Sequence, residues 1–194
     1  MQFKKLLYFI ISVTLLFTGC DSKPEETTKT EDEKSFEKEV KKEIQTKFSL
    51  STTDSQVINL ELKDNNLKIE EIQGKAILVN FWATWCPPCK AEIPHLINLK
   101  EKYKDQFEII AVNVGNKSGK MSKEEELSSF LEKYKINYIV TNSEENYNLA
   151  QVMDNVSIIP TMFLFDLDGK MIQKYVGVAP EEMIETDIKK ILGK

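Results

Sequence analysis

Two cysteines separated by two residues, Cys86 and Cys89, are the side chains whose type and spacing point most directly to chemistry. They follow an apolar run, Ala76 to Trp82, and stand at the mouth of a stretch with helical periodicity. A strand that feeds a Cys-x-x-Cys turn opening a helix is a geometry for reversible thiol-disulfide exchange. Cys86 falls near the helix N-cap, where unpaired backbone N–H groups and the helix dipole favour the thiolate, the reactive form. It reads as the nucleophile. Cys89, one turn along on the same face, reads as the resolving thiol and is expected to be the more buried of the two.

Competing uses of the pair fail on residue counts. A zinc site needs four ligands, and beyond the pair the chain offers only Cys20 and the single histidine, His95, so no metal is expected. Covalent haem attachment needs histidine directly after the second cysteine, where Lys90 stands. None of the exchange chemistry calls for a cofactor. All 26 basic residues are lysine, and without its first 20 residues the chain keeps 24 basic against 31 acidic groups, a net of −7. Nucleic acid is excluded as an expected partner.

The elements that must hold the pair follow from pattern. Phe48 to Thr52 and Val57 to Leu62 alternate with period two and read as an N-terminal hairpin, while Leu67 to Ile72 fits either a helical turn or another strand. Ala76 to Trp82 and Phe107 to Val114 are continuous apolar runs, as buried parallel strands should be. Pro87 and Pro88 occupy the first helical turn, where a missing N–H is tolerated, and Pro94 lies inside that helix and should kink it. Ser122 and Glu125 form a capping-box pattern ahead of a helical face at Leu127, Phe130, Leu131 and Tyr134. A short strand at Tyr138 to Thr141 and a short helix at Asn146 to Met153 come next. Pro160 begins an apolar strand, Asp168-Gly169 marks a hairpin into Met171 to Val176, and Pro180 to Leu192 reads as a closing helix. Parallel strands followed by an antiparallel hairpin give an α/β fold of thioredoxin-like type. Its mixed central sheet is flanked by helices, with the N-terminal β-hairpin added.

The run Leu78-Val79-Asn80-Phe81-Trp82-Ala83-Thr84-Trp85-Cys86-Pro87-Pro88-Cys89-Lys90-Ala91-Glu92-Ile93-Pro94 resembles the active-site segment of the TlpA/ResA-type thioredoxin-like family. These are bacterial thiol-disulfide oxidoreductases held at the outer face of the cytoplasmic membrane, and the resemblance covers roughly residues 48 to 192. It implies that Pro160, after Ile159, is the family's cis-proline facing the cysteines. It also implies that Trp85, Pro87, Pro88, Ile159 and Pro160 meet the substrate. Glu92 matches an acid placed beneath the cysteine pair, and its rival reading is a solvated helix glutamate. Asn80 stands where thioredoxin has a buried acid, so that position cannot titrate. Trp82 reads as packing and His95 as a surface residue. A peroxiredoxin is set aside because Val79 and Ala83 occupy its proline and threonine places and no arginine exists.

The function implied is reduction of protein disulfides, with apocytochrome c, and hence cytochrome c maturation, as one candidate substrate and an upstream membrane electron donor as the source of electrons. An oxidant of envelope thiols and a non-catalytic thioredoxin-fold binding module are the alternatives; the second would be expected to lose a cysteine, and both are present.

Ahead of the domain, Met1 to Lys5 is basic and Leu6 to Phe17 is a 12-residue apolar run, short for a membrane span but suited to an export signal. Leu16-Phe17-Thr18-Gly19-Cys20 resembles a bacterial lipoprotein signal, with Cys20 as the lipidated first residue of the mature chain. The expected organisation is a signal peptide at 1–19, a charged tether at 20–47 and the thioredoxin-like domain at 48–194. The expected location is the periplasmic side of the envelope, by lipid anchor, with the inner membrane favoured. Phe36, Val40, Ile44 and Phe48 recur every four residues and could form a narrow helical stripe in the tether.

Overall fold

The computed structural model describes residues 45–194. The signal peptide, Cys20, the tether as far as residue 44 and the stripe residues Phe36, Val40 and Ile44 lie outside the described residues. The fourth stripe residue, Phe48, is a buried strand residue.

Strands β1 (Lys47–Ser51), β2 (Val57–Lys63) and β3 (Asn66–Ile69) form a three-stranded antiparallel sheet, so the expected hairpin continues into a third strand. Their burial alternates residue by residue, as the period-two pattern requires of a sheet with one wet face. The ambiguous stretch after Asn66 therefore resolves as strand.

The main sheet has the order β6-β5-β4-β7-β8. Strands β4 (Ala76–Trp82) and β5 (Phe107–Asn113) are parallel and buried at every position, as is β7 (Thr161–Phe165), which pairs antiparallel with β4. The edges are β6 (Ile139–Thr141), parallel to β5, and β8 (Met171–Val176), antiparallel to β7. The helices are α1 (Pro87–Tyr103), α2 (Glu124–Tyr134), α3 (Glu145–Val152) and α4 (Glu181–Ile191).

Alternation inside the apolar runs sorts residues to two faces. Ile77, Val79 and Phe81 of β4 join Ile110 and Val112 of β5 in a core with the inner face of the small sheet and with Leu149 and Ala150 of α3. Leu78 and Ile109 turn the other way, onto Leu96 and Leu99 of α1 and Ile184 and Ile188 of α4. The small sheet is pinned at both sides. Thr53 N–H donates to Val140 O at 3.0 Å, and Leu67 N–H donates to Gly169 O at 2.7 Å. Gly169, at φ +83°, lies so close to Leu67 O that a Cβ there would collide with it, which makes glycine a requirement of this turn.

One local expectation is overturned. The N-cap of α2 is Lys123, with no side-chain cap bond, and Ser122 is buried with its hydroxyl accepting from Asn113 Nδ2 at 2.9 Å. The capping box is not formed because a tertiary partner takes the serine.

Candidate active site

The β4 run ends at Trp82, and four residues later Cys86 caps α1 in an extended conformation, φ −85° and ψ 109°. Its Sγ accepts the backbone N–H of Cys89 at 3.2 Å. Pro87 and Pro88 stand at the first two helical positions and supply no N–H, so Cys89 is the nearest backbone donor the helix start can offer. The two sulfurs are joined in a disulfide with Cα atoms 5.3 Å apart. The expected difference in burial is not observed: Cys86 is 2% and Cys89 3% exposed. Trp82, Ala83 and Ile159 pack around the pair, so in the oxidised state both sulfurs are covered.

The Ile159–Pro160 peptide bond is cis. Its loop lies across from the helix start, with Ile159 O 3.8 Å from Cys86 Sγ. Gly177 N–H donates to Pro160 O at 2.8 Å, and Thr161 Oγ1 donates to Ile158 O at 2.7 Å, so bonds from β8's end and from β7 hold the loop. Trp85 is 37% exposed, and Ile158, Val176 and Val178 are each more than half exposed. Pro87 and Pro88 are also exposed. Sequence reasoning picked out Trp85, the two helix-start prolines and the cis-proline dipeptide. The exposed apolar residues Ile158, Val176 and Val178, which adjoin the cis-proline loop, were not picked out from sequence.

Trp85 is oriented by a buried polar network that the sequence did not reveal. Its Nε1–H donates to Gly115 O at 2.9 Å. Gly115 is at φ +78°, against Tyr147 Oη and Lys120 O, where no side chain fits. Its N–H donates to Asn113 Oδ1 at 3.1 Å, and Asn113 Nδ2 donates to Ser122 Oγ and Asn142 Oδ1, both at 2.9 Å. The clustering of asparagines after β5 and β6 is the only signal that could have flagged it.

Glu92 is 1% exposed, so it is not the solvated helix glutamate of the rival reading. It sits three residues beyond Cys89 on the same face of α1. Oε1 accepts the N–H of Ala179 at 3.2 Å, while Oε2 is buried without a partner among the described residues. Burial pushes its carboxyl up to about 7, against the opposing pull of the Ala179 hydrogen bond and of His95. Burial, and after it the charge of Glu92, raises the phenol of Tyr138. On β4, Asn80 Oδ1 and Trp82 Nε1 are likewise buried without partners. His95 is a surface residue, as expected, with Nδ1 2.8 Å from Glu181 Oε2. Among the described residues no cluster of side chains suits a metal ion, and no helix is long and apolar enough to cross a membrane.

The arrangement can hold one sulfur at a helix N-terminus, a second sulfur to displace a partner from the first, and a buried carboxyl that titrates near neutrality. The family described as Redoxin matches residues 39–192. The thiol-disulfide oxidoreductase ResA of Bacillus subtilis (strain 168) is 36% identical over 132 residues, 65% of this chain and 68% of that protein. The ResA of Geobacillus kaustophilus (strain HTA426) is 32% identical over 147 residues, 75% of this chain and 80% of that protein. Among solved structures, a thiol:disulfide interchange protein from Chlorobium tepidum TLS superposes with a TM-score of 0.61. That match has 24% identity and covers 76% of this chain and 94% of the other.

Proposed function

The chain belongs to the Redoxin family and is a thiol-disulfide oxidoreductase of the ResA type, and we propose that it reduces protein disulfides through Cys86 and Cys89. The observation that carries the reading is the pairing of Cys86 at the start of α1 with a cis-proline loop whose Ile159 carbonyl lies 3.8 Å from its sulfur.

In the reduced protein, the Cys86 thiolate attacks one sulfur of a partner disulfide. A Cys86–partner disulfide forms, the partner's S–S bond breaks, and the departing thiolate takes up a proton. Cys89 then attacks Cys86 Sγ, closing the Cys86–Cys89 bond and releasing the second partner sulfur as a thiolate. Two electrons pass to the partner and two thiol protons leave the protein. Glu92 takes the proton of Cys89 as that thiol becomes the attacking thiolate; a carboxyl titrating near 7 suits this transfer at neutral pH. Trp85, Pro87, Pro88, Ile159 and Pro160 form the surface met by the partner polypeptide, and the exposed Ile158, Val176 and Val178 extend it.

The same proposal gives residues 1–19 as an export signal, Cys20 as the lipidated residue and residues 20–47 as the tether, which holds the domain on the periplasmic side, at the inner membrane. Electrons come from a membrane donor, and a disulfide of apocytochrome c is one candidate substrate. Fatty-acid labelling should be lost in Cys20→Ala; labelling that survives rejects the anchor.

Trapping tests the chemistry. Cys86→Ala should abolish insulin reduction, and Cys89→Ser should accumulate mixed disulfides on Cys86, whose captured protein names the partner. Capture through Cys89 in Cys86→Ala, with turnover retained, reverses the assignment. A pair that equilibrates above about −180 mV in a glutathione buffer would be an oxidant of thiols instead of a reductant.

A further inference from the structure

The connection between β8 and α4 touches both functional parts of the site. Gly177 N–H donates to Pro160 O at 2.8 Å, and two residues later Ala179 N–H donates to Glu92 Oε1 at 3.2 Å. Val176 and Val178, either side of Gly177, are 55% and 54% exposed, whereas Ala179 is 6% exposed. Three residues thus run from the surface beside the cis-proline loop to the buried carboxyl of Glu92.

Both ends of this connection are fixed. β8 is paired as far as Val176, opposite Thr161. At the far end Pro180 caps α4, and Glu181 holds His95 at 2.8 Å and Asn98 at 3.4 Å on α1. Gly177, at φ +80° and with open space where a Cβ would stand, is the pivot between them. A displacement at Pro160 or Val178 therefore has one short path inward, ending on Ala179. The contact it reaches has room to change, since 3.2 Å is at the long end of the roughly 2.7–3.2 Å range of an N–H···O bond. Such bonds commonly tighten only when the partner is in place.

We infer that Ala179 is a positioning residue for Glu92, and that a partner polypeptide docked on the cis-proline loop tightens the Ala179–Glu92 hydrogen bond through Gly177. The docked state then favours the carboxylate, which is the form that accepts the Cys89 proton, so the second exchange step is promoted by the presence of a polypeptide and not by a small disulfide. This rests on the proposed role of Glu92. The other titratable groups facing Glu92 are His95 on α1 and Tyr138 ahead of β6. Neither belongs to the connection.

The sign of the effect separates this coupling from simple covering of the site. Burial under a peptide disfavours the carboxylate and raises the midpoint of Glu92, whereas a tightened hydrogen bond lowers it. The test uses the full chain carrying Cys89→Ser, with Cys86 loaded either with 2-mercaptoethanol or with a hexapeptide of alanine, valine and glycine around one cysteine. Glu92 protonation is followed by the infrared band of its neutral carboxyl, assigned by its loss in Glu92→Gln. The peptide adduct should titrate lower than the 2-mercaptoethanol adduct by about half to one pH unit. Replacing Ala179 by lactate removes only the N–H; it should move both midpoints upward and make them equal. Equal midpoints with Ala179 intact, a higher midpoint with the peptide, or a lactate chain that still responds to the peptide each overturn the inference. The adduct comparison stands even where the lactate chain folds poorly. A neutral-carboxyl band that Glu92→Gln leaves unchanged fails the reading of Glu92 itself, and this inference with it.

Discussion

Strand β4 has two covers, and they are made of different material. Ile77, Val79 and Phe81 face the small sheet, whose inward side chains, among them Phe48, Leu60 and Leu67, are all apolar. Leu78, Asn80 and Trp82 alternate to the side of α1, where Glu92 is buried and where Asn80 Oδ1, Trp82 Nε1 and Glu92 Oε2 have no partners among the described residues. A buried polar atom left unpaired costs free energy, roughly 1–3 kcal/mol each. The α1 side of β4 therefore gives up stability near the place where the disulfide sits, whereas its small-sheet side carries no such cost. The lesson is a division of labour within one strand, set by the alternation of its side chains.

The largest expected break of this contrast is on the small-sheet side. Leu60 is 3% exposed at the centre of β2. Leu60→Ala should cost about 2–5 kcal/mol in urea denaturation, by lost transfer energy and a residual cavity. The potential of the Cys86–Cys89 pair should not move. A changed potential would mean that the two covers are not separate in function.

On the α1 side the comparison predicts the opposite outcome, a substitution that stabilises. The carboxyl of Glu92 is raised from 4.5 to about 7. Between those two values the folded chain binds more protons than the unfolded chain, so stability falls as pH rises through that window. The loss, complete above about pH 7, amounts to about 3 kcal/mol. Glu92→Gln removes the titration. At pH 5 the oxidised variant and parent should differ little, and at pH 8 the variant should be the more stable by an amount approaching that figure. Parallel stability curves between pH 5 and 8 would remove Glu92 from the account. The same variant should slow release of partners from Cys86, since Gln cannot take the Cys89 proton.

The contrast also explains which features could be read from sequence. The apolar runs of β4 and β5, the prolines at the start of α1 and the Cys-x-x-Cys pair are local, and each appears where the pattern puts it. What stayed hidden depends on distant partners. Glu92 receives its hydrogen bond from Ala179, 87 residues away, so no local pattern decides between a buried and a solvated glutamate. Ser122 looked like a helix cap because its spacing to Glu125 is local, and it was taken by Asn113 instead. Cys89 was expected to be the more buried of the pair, yet Ile159, 73 residues on from Cys86, packs against Cys86 as well. Within these runs, sequence also cannot say which residues face the small sheet and which face α1, because large apolar residues occupy both faces.

The smallest effect expected is also the sharpest probe of the α1 side, and it concerns the redox poise. Cys86 Sγ receives the Cys89 N–H at 3.2 Å, while Pro87 and Pro88 contribute no N–H to the same helix start. A thiolate at an N-cap would ordinarily draw on the second and third helical residues. Here it has one of the two. Stabilising the thiolate stabilises the reduced protein and makes the pair more oxidising, so the missing donor holds the potential low, nearer the roughly −270 mV of thioredoxin than the roughly −120 mV of a strong periplasmic oxidant. Pro88→Ala restores the N–H at the second helical position without adding bulk. One hydrogen bond to a charged group is worth about 1.5 kcal/mol, and for this two-electron couple that is about 30 mV. The variant should therefore rise in potential by about 30 mV, and the Cys86 thiol should ionise at lower pH by about one unit. Equilibration with dithiothreitol, read by Trp85 fluorescence, measures the first, and the pH dependence of alkylation the second. A potential that stays put while the thiol becomes more acidic would mean that Cys89 and Glu92 take back from the dithiol what the new N–H gives to Cys86.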